Sequence, residues 1–211
     1  MKMGSMPSKK YYAYFLSEKI QGVCETWSEC EKIVKGKEAR YRGFKTENEA
    51  KEWLKAGAKY KEPGIYPHTK RKVPLGVGVY FDAGTGRGMG VEISVTDEKG
   101  ANLLHKIMPK NKINQHGKHL ISDSVTNNYG ELLACYYALK LALKKKTLKI
   151  FGDSKLVVEY WSKGFIKRKT LPAETIKLAE KVIKLRKHYE DIGGKVGRVS
   201  GDDNPADLGF H

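Results

Sequence analysis

Hydrophobic and polar positions fall into short alternating runs and helical stripes that divide the chain in two. In the first stretch, residues 11–15 (YYAYF) have strand composition, and Gln21-Gly22 is read as a turn into a second strand at 23–25. Thr26 and Glu29 have the spacing of a capping box, in which hydroxyl and carboxylate satisfy each other's end amides. That predicts a short helix carrying Cys30, Ile33 and Val34. Residues 40–44 read as a third strand. Thr46 and Glu49 repeat the capping box, and Ala50, Trp53 and Leu54 give the next helix a buried stripe. The pattern predicts a small α+β module of three strands and two helices over 10–58.

Residues 59–74 contain three prolines and no apolar period, and read as a linker. Such a segment reaches about 20 Å root-mean-square, enough for two modules to hold one ligand. Beyond it, 76–81 (GVGVYF) predicts a strand ending at Asp82, and Val91, Ile93 and Val95 alternate as a second. Residues 97–100 turn, 101–108 are read as a third strand, and 111–124 as a polar insertion. The stretch TNNYGELLACYYALKLALKKKTLKIFGD, 126–153, predicts a helix, a basic turn and a strand. Asn127 or Asn128 suits the N-cap, Glu131 the first turn, and Lys144 to Lys146 the C-terminal end. Leu132, Leu133, Tyr136, Leu139 and Leu143 keep helical spacing. Gly152 lets the chain turn and present Asp153. A short helix at 154–161, a longer one opening near Pro172 with Ile176, Ala179, Val182, Ile183 and Arg186, and a last strand at 195–199 complete the pattern.

Charge changes the picture. Forty lysines and arginines against 24 acids give a net +16 and a pI near 9.6, which points to a polyanion, nucleic acid before membrane. The basic turn 163–169 (KGFIKRK) is a candidate contact; Lys70, Arg71 and Lys72 read as solvated linker charge. No apolar run approaches a membrane span. The opening MKMGSMPSKK lacks the apolar core of a signal peptide, so 1–9 is read as a flexible tail. Cys24, Cys30 and Cys135 are odd in number and form no CxxC, which argues for a reducing, cytoplasmic compartment over a disulfide framework. The run GTGRGMG is neither a dinucleotide fingerprint nor a P-loop and is read as a tight hairpin near phosphate. His116 and His119 form an HxxH too isolated to define a metal site.

Glu131 and Asp153 lie at the ends of a helix and a strand that can face one spot beside a sheet edge. Carboxylates gathered in one site repel, by on the order of 4 kcal/mol for two charges about 4 Å apart near a surface. Hard oxygen ligands of this kind suit Mg²⁺, with Mn²⁺ as a substitute.

Two resemblances sharpen these expectations. Residues 10–58 resemble the hybrid-binding (viroplasmin-like) domain found ahead of many ribonucleases H. Tyr12-Ala13, Gly22-Val23, the Thr26-Trp27-Ser28-Glu29-Cys30 element, Tyr41-Arg42-Gly43-Phe44 and 46–54 carry the match. The resemblance implies an RNA/DNA duplex gripped across its minor groove. Tyr12, Trp27 and Tyr41 would form an aromatic platform, with Arg42 on phosphate. Recognition of the 2′-hydroxyl is what separates RNA from DNA at such a site. Gly43 stands where the family often has a second basic residue.

Residues 75–211 resemble the type 1 ribonuclease H (ribonuclease HI) fold, an α/β fold with a mixed five-stranded sheet flanked by helices. The residues that carry this are Phe81-Asp82, Thr126-Asn127-Asn128 with Glu131, Gly152-Asp153-Ser154 and Asn204-Pro205-Ala206-Asp207. The resemblance implies two-metal hydrolysis of the RNA strand of hybrids, leaving 5′-phosphate and 3′-hydroxyl ends. Asp82, Glu131, Asp153 and Asp207 would be catalytic residues and metal ligands. Asp82 would bridge two Mg²⁺ ions, with Asp153 on the attacking side and Glu131 and Asp207 on the other. Asn127 and Asn128 would meet RNA, and Thr85 and Lys155 are further substrate contacts. The chain is expected to act as a monomer on an RNA/DNA hybrid, or on double-stranded RNA.

Two departures matter. Many relatives have a histidine in the loop before the last aspartate; the loop 199–206 has none. No long basic helix insert is evident, which leaves substrate grip to the N-terminal module. A hybrid or double-stranded RNA binding protein with a weak or inactive nuclease module is the alternative, and a DNA-cutting relative is a third reading.

Overall fold

A computed structural model describes residues 11–34, 37, 39–59, 75–85, 90–121 and 125–208. The expected tail at 1–9, nearly all of the linker and most of the glycine run at 86–89 lie outside these. The described elements belong to two units.

The first unit is one three-stranded antiparallel sheet: β1 (Tyr11–Ser17), β2 (Ile20–Cys24) and β3 (Arg40–Phe44), in the order β2-β1-β3. Strand alternation gives it two apolar faces. Tyr12, Tyr14, Leu16 and Tyr41 pack with Cys30 and Val34 of α1 (Trp27–Val34). Tyr11, Ala13, Phe15 and Phe44 pack with Ala50, Trp53 and Leu54 of α2 (Glu47–Lys55). Thr46 and Glu49 make both halves of the expected capping box, and Thr26 Oγ1 accepts from Glu29 N at 3.3 Å. The expected turn at Gln21-Gly22 is corrected. Both residues lie within β2, paired with Phe15 and Tyr14, and the chain turns at Glu18-Lys19. Gly22 marks a close approach rather than a bend: a Cβ there would sit 2.7 Å from Tyr14 Oη.

The second unit is a five-stranded mixed sheet, β4 (Val79–Gly84), β5 (Val91–Asp97), β6 (His119–Ile121), β7 (Lys149–Gly152) and β8 (Lys195–Arg198). Its order is β6-β5-β4-β7-β8. The β4/β5 and β5/β6 pairs are antiparallel, and β4/β7 and β7/β8 are parallel. With α3 (Asn127–Lys145) across one face and α4 (Ala173–Asp191) packed on α3, this is the ribonuclease H fold. Every residue of the central strand β4 is buried. No described helix is long and apolar enough to cross a membrane.

Three expectations are corrected here. Residues 101–108 are not the third strand. Asn102 makes a single bridge to Thr96, and Leu104–Lys106 is a tight helical turn. Adjacent Leu103 and Leu104 both enter the core, which alternation along a strand does not allow. The third strand is β6, from within the stretch read as a polar insertion. The N-cap of α3 is Thr126, whose Oγ1 accepts from Tyr129 N at 3.2 Å, so Asn127 and Asn128 are first-turn residues. Glu131 is consequently one residue past the first turn.

After β7 the chain makes a wide turn at Leu156–Tyr160, leaving carbonyls that an ordinary helix would bind. Buried Arg186 of α4 donates to Val158 O and Ser162 Oγ, both at 2.6 Å, and ties this turn to the core.

Candidate metal centre and aromatic face

Parallel pairing of β4 with β7 puts Phe81 opposite Gly152, so Asp82 and Asp153 follow at neighbouring strand positions. Helix α3 brings the third carboxylate. Its approach depends on Gly130, where a Cβ would lie 2.3 Å from Val91 Cγ1 and 3.0 Å from Ala83 Cβ. Gly152 is needed for the same reason, since a Cβ there would lie 2.3 Å from the Phe81 ring. Gly152→Ala forces this contact apart. Chemical denaturation is expected to show a loss of about 1–3 kcal/mol, the usual cost of overpacking a core.

Carboxylate oxygens of Asp82, Glu131 and Asp153 all lie within 4.8 Å of one another. Asp82 and Glu131 are buried and Asp153 is half-buried. Burial, then the charges of Asp82 and Asp153, push the Glu131 carboxyl from 4.5 up to about 10. Glu131 Oε2 is buried and has no hydrogen-bond partner among the described residues. A buried acceptor without a donor, inside a cluster of like charges, fits a divalent cation. The all-oxygen donor set suits a hard divalent cation.

The C-terminal segment laces the cluster from below. Leu208 N donates to Asp82 Oδ2 at 3.1 Å. Buried Asn204 donates from Nδ2 to Phe81 O at 3.0 Å and to Asp153 Oδ2 at 3.2 Å, while its Oδ1 accepts from Ala206 N. The sequence shows Asn204 only as the first residue of an Asn-Pro-Ala-Asp motif, with no sign of this bridging role. Asp207 is half-buried and donates its N–H to Asn204 O at 3.0 Å. It is not one of the three residues whose oxygens gather within 4.8 Å, though Leu208 beside it touches Asp82.

The remaining sequence candidates surround this point. Asn127 and Asn128 are exposed on the first turn of α3, Thr85 follows β4 directly, and Lys155 is exposed two residues after Asp153. In the basic turn, Lys163, Lys167 and Lys169 are exposed, and Arg168 pairs with Glu180 of α4 at 2.6 Å. His119 Nδ1 contacts Lys112 O at 2.8 Å and His116 Nε2 contacts Gln115 Nε2 at 3.2 Å, which are local structural bonds.

On the first unit, Trp27 is 38% exposed and lies between two tyrosines, its ring centroid 5.7 Å from Tyr12 and 5.3 Å from Tyr41. Arg42 does not join them. It follows Tyr41 along β3 and therefore faces the other side, its guanidinium 5.5 Å from the Phe44 ring. On the aromatic side, a Cβ at Gly43 would be 3.4 Å from the Tyr12 ring.

The larger unit has the ribonuclease H fold and gathers the carboxylates of Asp82, Glu131 and Asp153. Residues 10–54 match the family model described as the ribonuclease H1 N-terminal domain. Among solved structures, the chain is similar to RNase H1 from the halophilic archaeon Halobacterium salinarum NRC-1. The identity is 19% and the TM-score 0.40, over 64% of this chain and 92% of that one. It is also similar to an N-terminal RNase H domain from Mycobacterium tuberculosis, solved as a fusion with maltose-binding protein. There the identity is 18% and the TM-score 0.35, over 59% of this chain and 81% of the other. A comparison with curated proteins found no match.

Proposed function

We propose that this chain is an endonuclease that hydrolyses the RNA strand of RNA/DNA hybrids and leaves 5′-phosphate and 3′-hydroxyl ends. The observation that carries the reading is the gathering of carboxylate oxygens of Asp82, Glu131 and Asp153 within 4.8 Å of one another beside the central strand. The N-terminal domain match and the net charge of +16 support a nucleic-acid substrate.

Asp82, Glu131, Asp153 and Asp207 would hold two Mg²⁺ ions, with Mn²⁺ as a substitute. Bound there, such ions neutralise the cluster, activate water for in-line attack and stabilise the departing 3′ oxygen. The protein's task is to keep repelling groups at fixed spacing. Asn204 does so by bonding the end of β4 and Asp153 with one amide, and Leu208 N by fixing one oxygen of Asp82. Asn127 and Asn128 would hold the RNA strand at the minor groove, and Thr85 and Lys155 its backbone.

Residues 10–58 would grip the hybrid, 59–74 would link, and 75–211 would cut, behind a tail at 1–9. Tyr12, Trp27 and Tyr41 offer the platform, and Arg42 a phosphate contact from the sheet's other side. Trp27→Ala is expected to weaken hybrid binding by about 1–3 kcal/mol, a base-stacking magnitude, in fluorescence anisotropy. Unchanged affinity in a folded variant would make Trp27 a packing residue. Three buried free cysteines fit a reducing compartment such as the cytoplasm, where the chain would act as a monomer.

Matched RNA/DNA, RNA/RNA and DNA/DNA duplexes in Mg²⁺ or Mn²⁺ test the reading. The expected result is cutting of the hybrid's RNA strand, with fragments that polynucleotide kinase labels only after phosphatase treatment. Tight hybrid binding with no cutting in either metal would make this a binding protein. The short turn Gly201–Asp203, in a loop without histidine, would then be the first place to look.

A further inference from the structure

Lys118 is the only lysine among the described residues that is buried, 7% exposed. An ammonium withdrawn from water is costly unless charge and hydrogen bonds compensate it. The turn that carries Lys118 is closed by several bonds. Asn114 Oδ1 accepts from His116 N and Lys118 N, each at 3.0 Å, and Asn114 N donates to Lys118 O at 2.8 Å. Gly117, at φ +72°, completes the bend.

From this turn Lys118 Nζ reaches Ser94 Oγ at 2.6 Å. Ser94 is fully buried and pairs directly with Asp82 across β4 and β5. Directly opposite residues of an antiparallel pair share a sheet face, with Cβ atoms about 4.5–5.5 Å apart. The ammonium is therefore bonded to the residue that directly faces the first carboxylate of the cluster. On the same face, Asn114 Nδ2 donates to the buried Glu92 Oε1 at 2.6 Å, and Glu92 pairs with Gly84.

We propose that Lys118 is a positioning residue of the metal centre. Its ammonium is a fixed counter-charge to Asp82 that holds the carboxylates together before cations bind, and it sets how tightly they bind. This rests on the reading of Asp82, Glu131 and Asp153 as metal ligands. Lys118 directly precedes β6 and reaches this face of the sheet from the β6 side, by way of Ser94 of β5.

The test is calorimetric titration of Mn²⁺ into the full chain, with thermal unfolding with and without Mn²⁺. K118M keeps the apolar stem and drops the charge. It is expected to bind Mn²⁺ about 3- to 10-fold more tightly, since a nearby positive charge no longer opposes the ion. Metal-free K118M is expected to melt lower than wild type, and the deficit to shrink with Mn²⁺. K118R is expected to restore both values. Should K118M fail to fold, K118Q keeps a donor for Ser94 and carries the same measurement. Equal Mn²⁺ affinity in wild type and variant would overturn the proposal and leave Lys118 serving only Glu92 or the Ser94 hydroxyl. Wild type that binds no Mn²⁺ would instead overturn the metal centre itself.

Discussion

Asp82→Asn is expected to lower hybrid cleavage by about 10³-fold or more while leaving the fold and hybrid affinity in place. Asp82 sits fully buried within the central strand, and one of its oxygens already accepts from Leu208 N. Asparagine has the same shape and keeps an acceptor for that bond. What it removes is a unit of negative charge from the point where three carboxylates meet. Metal-assisted phosphoryl chemistry draws several kcal/mol from ions held in place, and about 4 kcal/mol corresponds to a thousandfold in rate. The variant relieves repulsion inside the cluster but also takes the counter-charge from Lys118, so its melting temperature is expected to stay close to that of wild type. Single-turnover cleavage, anisotropy and thermal unfolding measured together check all three parts. A rate within tenfold of wild type in Mg²⁺ would remove Asp82 from the site.

Glu131→Gln is expected to move stability and activity in opposite directions. In the metal-free protein, burial and two neighbouring carboxylates raise the Glu131 carboxyl from 4.5 to about 10. An unfolded chain lets this group ionise near its ordinary value. Between those limits the folded state holds the extra proton, so stability falls as pH rises through the window. At pH 7 the penalty is on the order of 3 kcal/mol as an upper bound. Glutamine has no proton to lose. Metal-free Glu131→Gln is expected to be more stable than wild type by about 1–3 kcal/mol at pH 7, with the gap closing towards pH 4. Adding Mg²⁺ favours wild type, since a ligand that binds only the folded state stabilises it by mass action. Urea melts at pH 4.5 and 7.5, with and without Mg²⁺, measure this directly. A pH-independent difference between the two proteins would contradict the strained carboxyl.

Much of this site was legible in sequence because its carboxylates border recognisable patterns. Asp82 follows an apolar strand run, Glu131 a helix cap and Asp153 a glycine, but β4 runs Val79–Gly84 and carries Asp82 inside it instead of ending there, because pairing with β5 continues to Gly84. Local pattern hid other parts. Leu103 and Leu104 look like strand residues, but they lie side by side in the core, which alternation alone does not reveal. The true third strand, His119–Ile121, is short, and its central Leu120 is exposed. It is fixed by pairing with β5 rather than by its own composition. Thr126, not either of the two asparagines that follow it, caps α3, and three adjacent good capping residues give a local pattern no way to choose among them. Arg42 follows Tyr41 in sequence, and strand alternation puts it on the other face of its sheet, beside Phe44. Asn204 and Lys118 act through partners 123 and 24 residues away, which no local pattern shows.

The central claim is that the three gathered carboxylates cut RNA in a hybrid. The most direct measurement is gel analysis of a hybrid end-labelled on its RNA strand, incubated in Mg²⁺ with wild type and Asp82→Asn side by side. The account predicts a ladder of shortened RNA with wild type, none with the variant, and none with wild type in excess chelator. RNA cleavage that persists in the variant or in chelator would contradict it, as would an intact RNA strand with wild type in both Mg²⁺ and Mn²⁺.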